Sequence, residues 1–257
     1  MTQATNGRAP AAVRIAAAGD IHCHEANRDA IRRAFSGLDG RADLVLLAGD
    51  LTTHGEPEQA AVLADACREI DFPVFAVLGN HDVHSDHEEE VVAVLEESGV
   101  HVLRRRAATC TIEGVDIGIV GTKGFVGGFP GSHLPDFGER ALREVYRETT
   151  RDVDALGRGL KEIAHCAVRV VLLHYAPVPE TLEGEPPGIW MMLGTDRLAA
   201  PIAEHEPDLV LHGHAHAGTF TGAIGPVPVF NVSVPVMERD FWVFEVAGIE
   251  RAGTHLH

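Results

Sequence analysis

Three short apolar runs open the chain, and each stops in the same way. VRIAAAGD (13–20), ADLVLLAGD (42–50) and FPVFAVLGN (72–80) are aliphatic stretches that end in a small residue followed by Asp or Asn. Such runs, without polar alternation, predict strands buried on both faces. Between them Ala30, Ile31, Ala34, Phe35 and Leu38, then Val62, Leu63, Ala66 and Ile70, recur at helical spacing. The ends Asp20, Asp50 and Asn80 are evenly spaced, about one strand–helix–strand unit apart. Parallel neighbours would bring all three to one sheet edge, where ligands bind in open α/β sheets.

A third helix is expected to start at Asp86, with Glu89 completing a capping box, and to stop at Gly99 after Ser98. The second half changes character. ATCTIEGVDIGIVG (108–121) predicts two antiparallel strands joined by a turn at Glu113 and Gly114. A Gly-rich stretch (121–138) precedes a helical pattern through Leu142, Val145, Tyr146, Val153, Leu156 and Leu160, with Gly157 and Gly159 as candidate breaks. Further strands are expected at 168–174, 208–213, 227–233 and 241–246. The pattern predicts a flexible leader over 1–12 and a single domain over 13–257, with two packed sheets and outer helices.

Composition narrows the function classes. The formal charge of −17 disfavours a protein that coats duplex nucleic acid or an anionic membrane, so an anionic substrate must be attracted locally. Cys23, Cys67, Cys110 and Cys166 are widely spaced, which suggests reduced thiols rather than a zinc knuckle or disulfide framework. No apolar stretch reads as a signal or a membrane span, so a cytoplasmic protein is expected.

The chemistry gathers at the strand ends. Asp20 and His22 come from GDIH, Asp50 from GD, Asn80, His81 and Asp82 from GNHD, His174 from LLHY, and His214 and His216 from GHAH. One Asp or Asn after a strand is an ordinary turn or cap residue; five such motifs at successive strand ends point to a metal site.

This ordered set, D-x-H, G-D, G-N-H-D, H and G-H-x-H, resembles the calcineurin-like metallophosphoesterase superfamily, and in character its bacterial phosphodiesterase-like branch. The resemblance implies a four-layer α/β/β/α sandwich of two mixed sheets flanked by helices. It implies two divalent metal ions, of Mn, Fe, Zn or Co. Asp20, His22 and His216 would hold one, Asn80, His174 and His214 the other, and Asp50 would bridge them. The implied reaction is phosphoester hydrolysis by in-line attack of a metal-bridging hydroxide. His81 would protonate the leaving oxygen, and Asp82 would either orient His81 or stabilise its loop.

Departures refine the class. Thr53 stands where purple acid phosphatases carry a ligating tyrosine, and GDLTTHG lacks the Asp-Arg of protein phosphatases. A phosphodiesterase acting on a small molecule, a cyclic nucleotide or similar, is therefore the leading reading. The alternatives are a phosphomonoesterase or nuclease of the same superfamily, or a non-catalytic scaffold. His212 reads as structural or supporting, and His54, His84 and His87 carry no assignment. Residues 121–138, with Lys123 and Phe125, and the loop 175–193, with Trp190, are the expected substrate-facing segments.

Overall fold

The strand–helix rhythm of the first hundred residues builds one sheet, and the second half builds another against it. The computed structural model describes residues 12–248, so the expected leader lies outside the described residues except for Ala12, which already opens the first strand. In chain order the elements are β1 (Ala12–Ala18), α1 (Arg28–Ser36), β2 (Leu44–Ala48), α2 (Pro57–Cys67), β3 (Val74–Val77), α3 (Glu88–Glu97) and β4 (Val100–Val102). A hairpin of β5 (Arg106–Ile112) and β6 (Val115–Gly121) follows, then α4 (Arg140–Glu162) and β7 (Val168–Leu172). The chain continues through α5 (Trp190–Leu193), α6 (Ala199–His205), β8 (Leu209–His212), β9 (Thr221–Ile224), β10 (Val227–Asn231), α7 (Val234–Met237) and β11 (Trp242–Ala247).

The first sheet has the order β11-β1-β2-β3-β4 and the second β5-β6-β7-β8-β10-β9. Each is mixed. β1 to β4 run parallel with β11 antiparallel at one edge, and β6, β7, β8 and β10 run parallel between antiparallel edges β5 and β9. The side-chain period of two sorts each strand between layers. Val168, Val170 and Leu172 of β7 join the core between the sheets, with Ile15, Leu44, Leu46 and Phe75 of the first. Val171 faces outward onto Leu156 and Leu160 of α4 and Ile202 of α6. With helices on the outer faces, the molecule is an α/β sandwich of two mixed sheets, as the resemblance drawn from the sequence implies. The apolar runs lack alternation because both faces of these strands are covered.

Local chemistry explains most boundaries and corrects two expectations. The turn between β5 and β6 falls on Glu113 and Gly114, both at positive φ (50° and 82°), as a two-residue hairpin of matching twist requires. The capping box at Asp86 does not form: α3 begins after His87, whose side chain makes no cap hydrogen bond, and Glu89 instead pairs with Arg104 at 2.6 Å. Gly157 and Gly159 do not break α4, which runs through both. Each glycine costs a helix about 1 kcal/mol, but fully burying Leu156 and Leu160 returns about 2 kcal/mol apiece. Strands β4 and β9 and helix α6 carried no sequence signal, being three, four and seven residues long.

The two glycines differ in what surrounds them. A Cβ on Gly159 would lie 2.6 Å from the stiff Val120 side chain, whereas one on Gly157 would meet only Pro201 at 3.6 Å. Gly157→Ala should therefore stabilise the protein by up to about 1 kcal/mol, and Gly159→Ala should destabilise it by about 1–3 kcal/mol. Urea denaturation of the two variants distinguishes these outcomes; equal effects would contradict the packing account.

Candidate metal centre

All the motif residues lie just beyond the C-terminal ends of β1, β2, β3, β7 and β8. The two sheets meet there. Asp20 N–H donates to the Gly49 carbonyl (3.0 Å) and His22 N–H to that of Asp50 (3.0 Å), tying the β1 and β2 loops together. Gly19 N–H donates to Val232 after β10, and Gly213 N–H to His174, so the second sheet's ends close on the same place.

The backbone is strained here. Asp20, His22, Asp50 and His214 have φ of 58°, 42°, 48° and 72°, in the left-handed region that costs a non-glycine residue on the order of 1 kcal/mol or more. The glycines of the motifs have a complementary reason. A Cβ on Gly49 would strike the His174 ring, one on Gly79 the Asp50 carboxylate, and one on Gly213 the Asp20 carboxylate. Each motif glycine makes room for another motif's side chain.

Two groups of donor atoms result, each within 4.8 Å: Asp20, His22, Asp50 and His216 in one, and Asp50, His174 and His214 in the other. Asp50, only 1% exposed, belongs to both. His174 Nδ1 donates to the Ala48 carbonyl (2.9 Å), so its Nε2 is left as an acceptor. That nitrogen faces Asn80 Oδ1 at 3.0 Å and Asp50 Oδ1 at 3.4 Å. Three acceptors converging without a donor is an arrangement that a cation resolves.

The protonation chemistry agrees. Burial, then the neighbouring His174, pushes the His214 imidazole down to about 3, and burial also lowers His22, so both are neutral, the form that ligates. His214 Nε2 donates to the Met192 carbonyl (3.2 Å), which leaves Nδ1 as its donor atom. Burial opposes ionisation of Asp20, but the His216 ring hydrogen bond at 2.9 Å, helped by His174 and the His214 N–H, outweighs it and holds the carboxyl at about 2. The same contact raises His216. A donor set of buried carboxylates, imidazoles and an amide oxygen suits a divalent first-row metal.

His81 and Asp82 divide. The His81 ring stands edge-on to His22 (centroids 4.6 Å apart), and its Nε2 lies 4.0 Å from Asp50 Oδ2. Asp82 does not orient it. Its fully buried carboxylate accepts from Leu51 N–H, Thr52 N–H, Thr52 Oγ1 and Gly79 N–H at 2.7–3.1 Å. Thr53's carbonyl holds His81 Nδ1 instead, at 2.7 Å. Of the two roles open to Asp82, these hydrogen bonds fit loop stabilisation rather than orientation of His81. Sequence reading could not find the carbonyls of Ala48, Met192 and Thr53, since every residue has one.

The remaining candidates stay outside the donor groups. His212 is fully buried, with its ring nitrogens used by the Gly213 carbonyl and the Thr181 hydroxyl. His87 pairs with Glu56 on the surface, and His54 and His84 face each other edge-on, both exposed. Thr53 turns its hydroxyl to the His22 carbonyl. Trp190 packs on Phe129, Ala176 and Leu193, and its indole donates to Glu185. Tyr175, which no sequence motif singles out, has its ring 4.4 Å from that of His214; burial, then Asp50 and Asp152, pushes its hydroxyl up to about 12, so it stays a neutral donor.

With this geometry in hand, comparison with known proteins places the chain. Residues 13–218 match the calcineurin-like phosphoesterase family model. The chain belongs to that family. No curated protein matches it. Among solved structures it is similar to phosphopantetheinyl hydrolase PptH from Mycobacterium tuberculosis, at 15% identity and a TM-score of 0.64, covering 90% of this chain and 95% of that one. It is also similar to TT1561 of Thermus thermophilus (17%, TM-score 0.55, covering 91% and 99%). A third is GAP50, the anchor in the inner membrane complex of Plasmodium (11%, TM-score 0.57, covering 87% and 72%). At these identities the likeness is one of fold.

The buried carboxylates make two stability measurements informative. Because the folded value of Asp20 lies below its ordinary 3.8, Asp20 stabilises the metal-free protein above about pH 4, and this contribution, roughly 2 kcal/mol, is lost as pH falls towards about 2. In urea melts at stepped pH, the stability gap between wild type and Asp20→Asn should narrow over that window; a constant gap would refute the linkage. Asp82→Ala strands three buried N–H donors and should cost about 3–5 kcal/mol in the same melts.

Proposed function

We propose that this family member is a phosphodiesterase acting on a small phosphoester, with Asp20, His22 and His216 holding one divalent cation, Asn80, His174 and His214 a second, and Asp50 shared between them. The observation that carries this reading is the convergence of the two donor groups on one buried carboxylate. When bound, such a pair of cations supplies Lewis-acid polarisation of the phosphate oxygens and a water nucleophile at neutral pH.

The chain's own residues do the rest. Asp50 accepts His81 N–H at 2.8 Å, which fixes the catalytic loop against the centre. With Nδ1 tied to Thr53, the His81 ring keeps Nε2 at the mouth of the site, where its imidazolium form can pass a proton to the leaving oxygen. Ala48 and Met192 hold His174 and His214 in the tautomers that present a lone pair inward. Donors drawn from both sheets support reading 13–257 as one domain. Cys23, Cys67, Cys110 and Cys166 are all free thiols, which suits a cytoplasmic protein; no helix among the described residues is long and apolar enough to cross a membrane.

A non-catalytic anchor role, as the name of GAP50 describes for that protein, is the rival reading. The intact donor set and the tautomer-fixing carbonyls favour hydrolysis. The test is hydrolysis of bis(p-nitrophenyl) phosphate and of p-nitrophenyl phosphate by chelator-stripped protein with Mn²⁺, Fe²⁺, Zn²⁺ or Co²⁺ added back. Metal-restored turnover of the diester is expected, with the monoester slower; binding of metal without turnover of either would favour the anchor. His81→Ala should lower kcat by about 10²–10⁴ with metal content unchanged, whereas Asp50→Asn should lose metal. Metal analysis of the purified variants separates the two.

A further inference from the structure

A cleft of about 410 Å³ opens where the chain leaves β3 and β6, lined by Leu78, Leu103, Arg105, Thr122, Lys123 and Asp152 among others. Its charges are not equivalent. Arg104 is taken by Glu88 and Glu89, and Arg105 by Glu148 and the buried Asp152, which also accepts from Thr122. Lys123 has no carboxylate partner among the described residues. Its ammonium lies over the faces of Phe125 (5.1 Å to the ring centroid) and Tyr175 (5.9 Å).

The backbone fixes this lysine relative to the centre. The Lys123 carbonyl accepts from both His174 N–H and Tyr175 N–H, each at 3.0 Å, so its Cα is held against the strand end that carries a donor of the second group. Tyr175 stands between, its ring 4.4 Å from His214 and 5.4 Å from His174. The residue is only 5% exposed, and its hydroxyl makes no hydrogen bond to a described residue but keeps contact with solvent. A hydroxyl that reaches solvent, on a ring 5.9 Å from an ammonium with no carboxylate partner among the described residues, is available to an incoming anion.

We propose that Lys123 and Tyr175 form a subsite for a second anionic group of the substrate, a carboxylate or phosphate separated from the scissile phosphate by about the width of one aromatic ring. This rests on the placement of the scissile phosphate at the Asp50-centred donors. The ammonium supplies charge and the hydroxyl a directed hydrogen bond, the pairing that recognises an oxyanion. The aromatic faces hold the ammonium in place without neutralising it. In a chain of net charge −17, an uncompensated cation next to the centre selects for substrates with that second charge.

Calorimetric titration of Mn²⁺-loaded protein tests the subsite without needing turnover. The probes are ω-carboxyalkylphosphonates with two to five methylenes and alkylphosphonates of the same lengths. For at least one length the carboxylate should tighten binding about tenfold in wild type. Lys123→Met should abolish that preference, Lys123→Arg should keep it, and Tyr175→Phe should reduce it. Equal affinities across the whole series in wild type, or a preference that survives in Lys123→Met, would overturn the subsite. Failure of the alkylphosphonates themselves to bind, together with absent metal-restored turnover, would count against the placement of the scissile phosphate instead.

Discussion

Two carboxylates buried where the sheets meet set the terms for this structure. Asp20 and Asp50 are 4% and 1% exposed, and a buried anion is costly unless donors or cations surround it. The chain surrounds them at close quarters. Asp20 accepts from the His214 N–H and the His216 ring, and Asp50 accepts the His81 N–H and faces His174. To turn these groups inward, the backbone enters the left-handed region at four non-glycine residues, and glycines at 49, 79 and 213 clear the space. Strain of that kind persists only where the surroundings over-determine it.

That constraint also joins the two halves. His174, at the end of β7, donates across the seam to Ala48 at the end of β2, and Gly19 after β1 is bonded on both sides to the segment after β10. Neither sheet alone assembles the donor groups. The core beneath them is shared, with side chains of both sheets in one continuous apolar layer. Asp82 works within the first sheet: it ties the β2 loop to the β3 loop, beside His81 and Asp50.

The fold alone does not decide what such a site does. Structures of similar shape include a hydrolase and an anchor, at identities too low to transfer either role. What separates the readings is local: tautomers fixed by three carbonyls, acceptors facing acceptors, and a lysine set on two aromatic rings with no carboxylate partner among the described residues.

Much of this was legible in the chain. The buried strands announced themselves by unbroken apolar runs, and the parallel order of β1, β2 and β3 followed from the even spacing of Asp20, Asp50 and Asn80. The donor residues could be named because they follow strand ends, and strand ends share an edge. Short elements such as β4 and β9 were invisible, since three or four residues carry too little periodicity. The unbroken α4 defied its glycines because packing on the second sheet outweighed propensity.

The sequence by itself determined which residues are candidates for the chemistry and that they would gather at strand ends, because residue type and the period of two are local properties. Only the tertiary structure decided their roles: that His212 turns away, that Asp82 anchors a loop, and that Lys123 and Tyr175 stand beside the centre. Those outcomes depend on backbone carbonyls and on which strands become neighbours across the seam, contacts between residues far apart in the chain that no local pattern encodes.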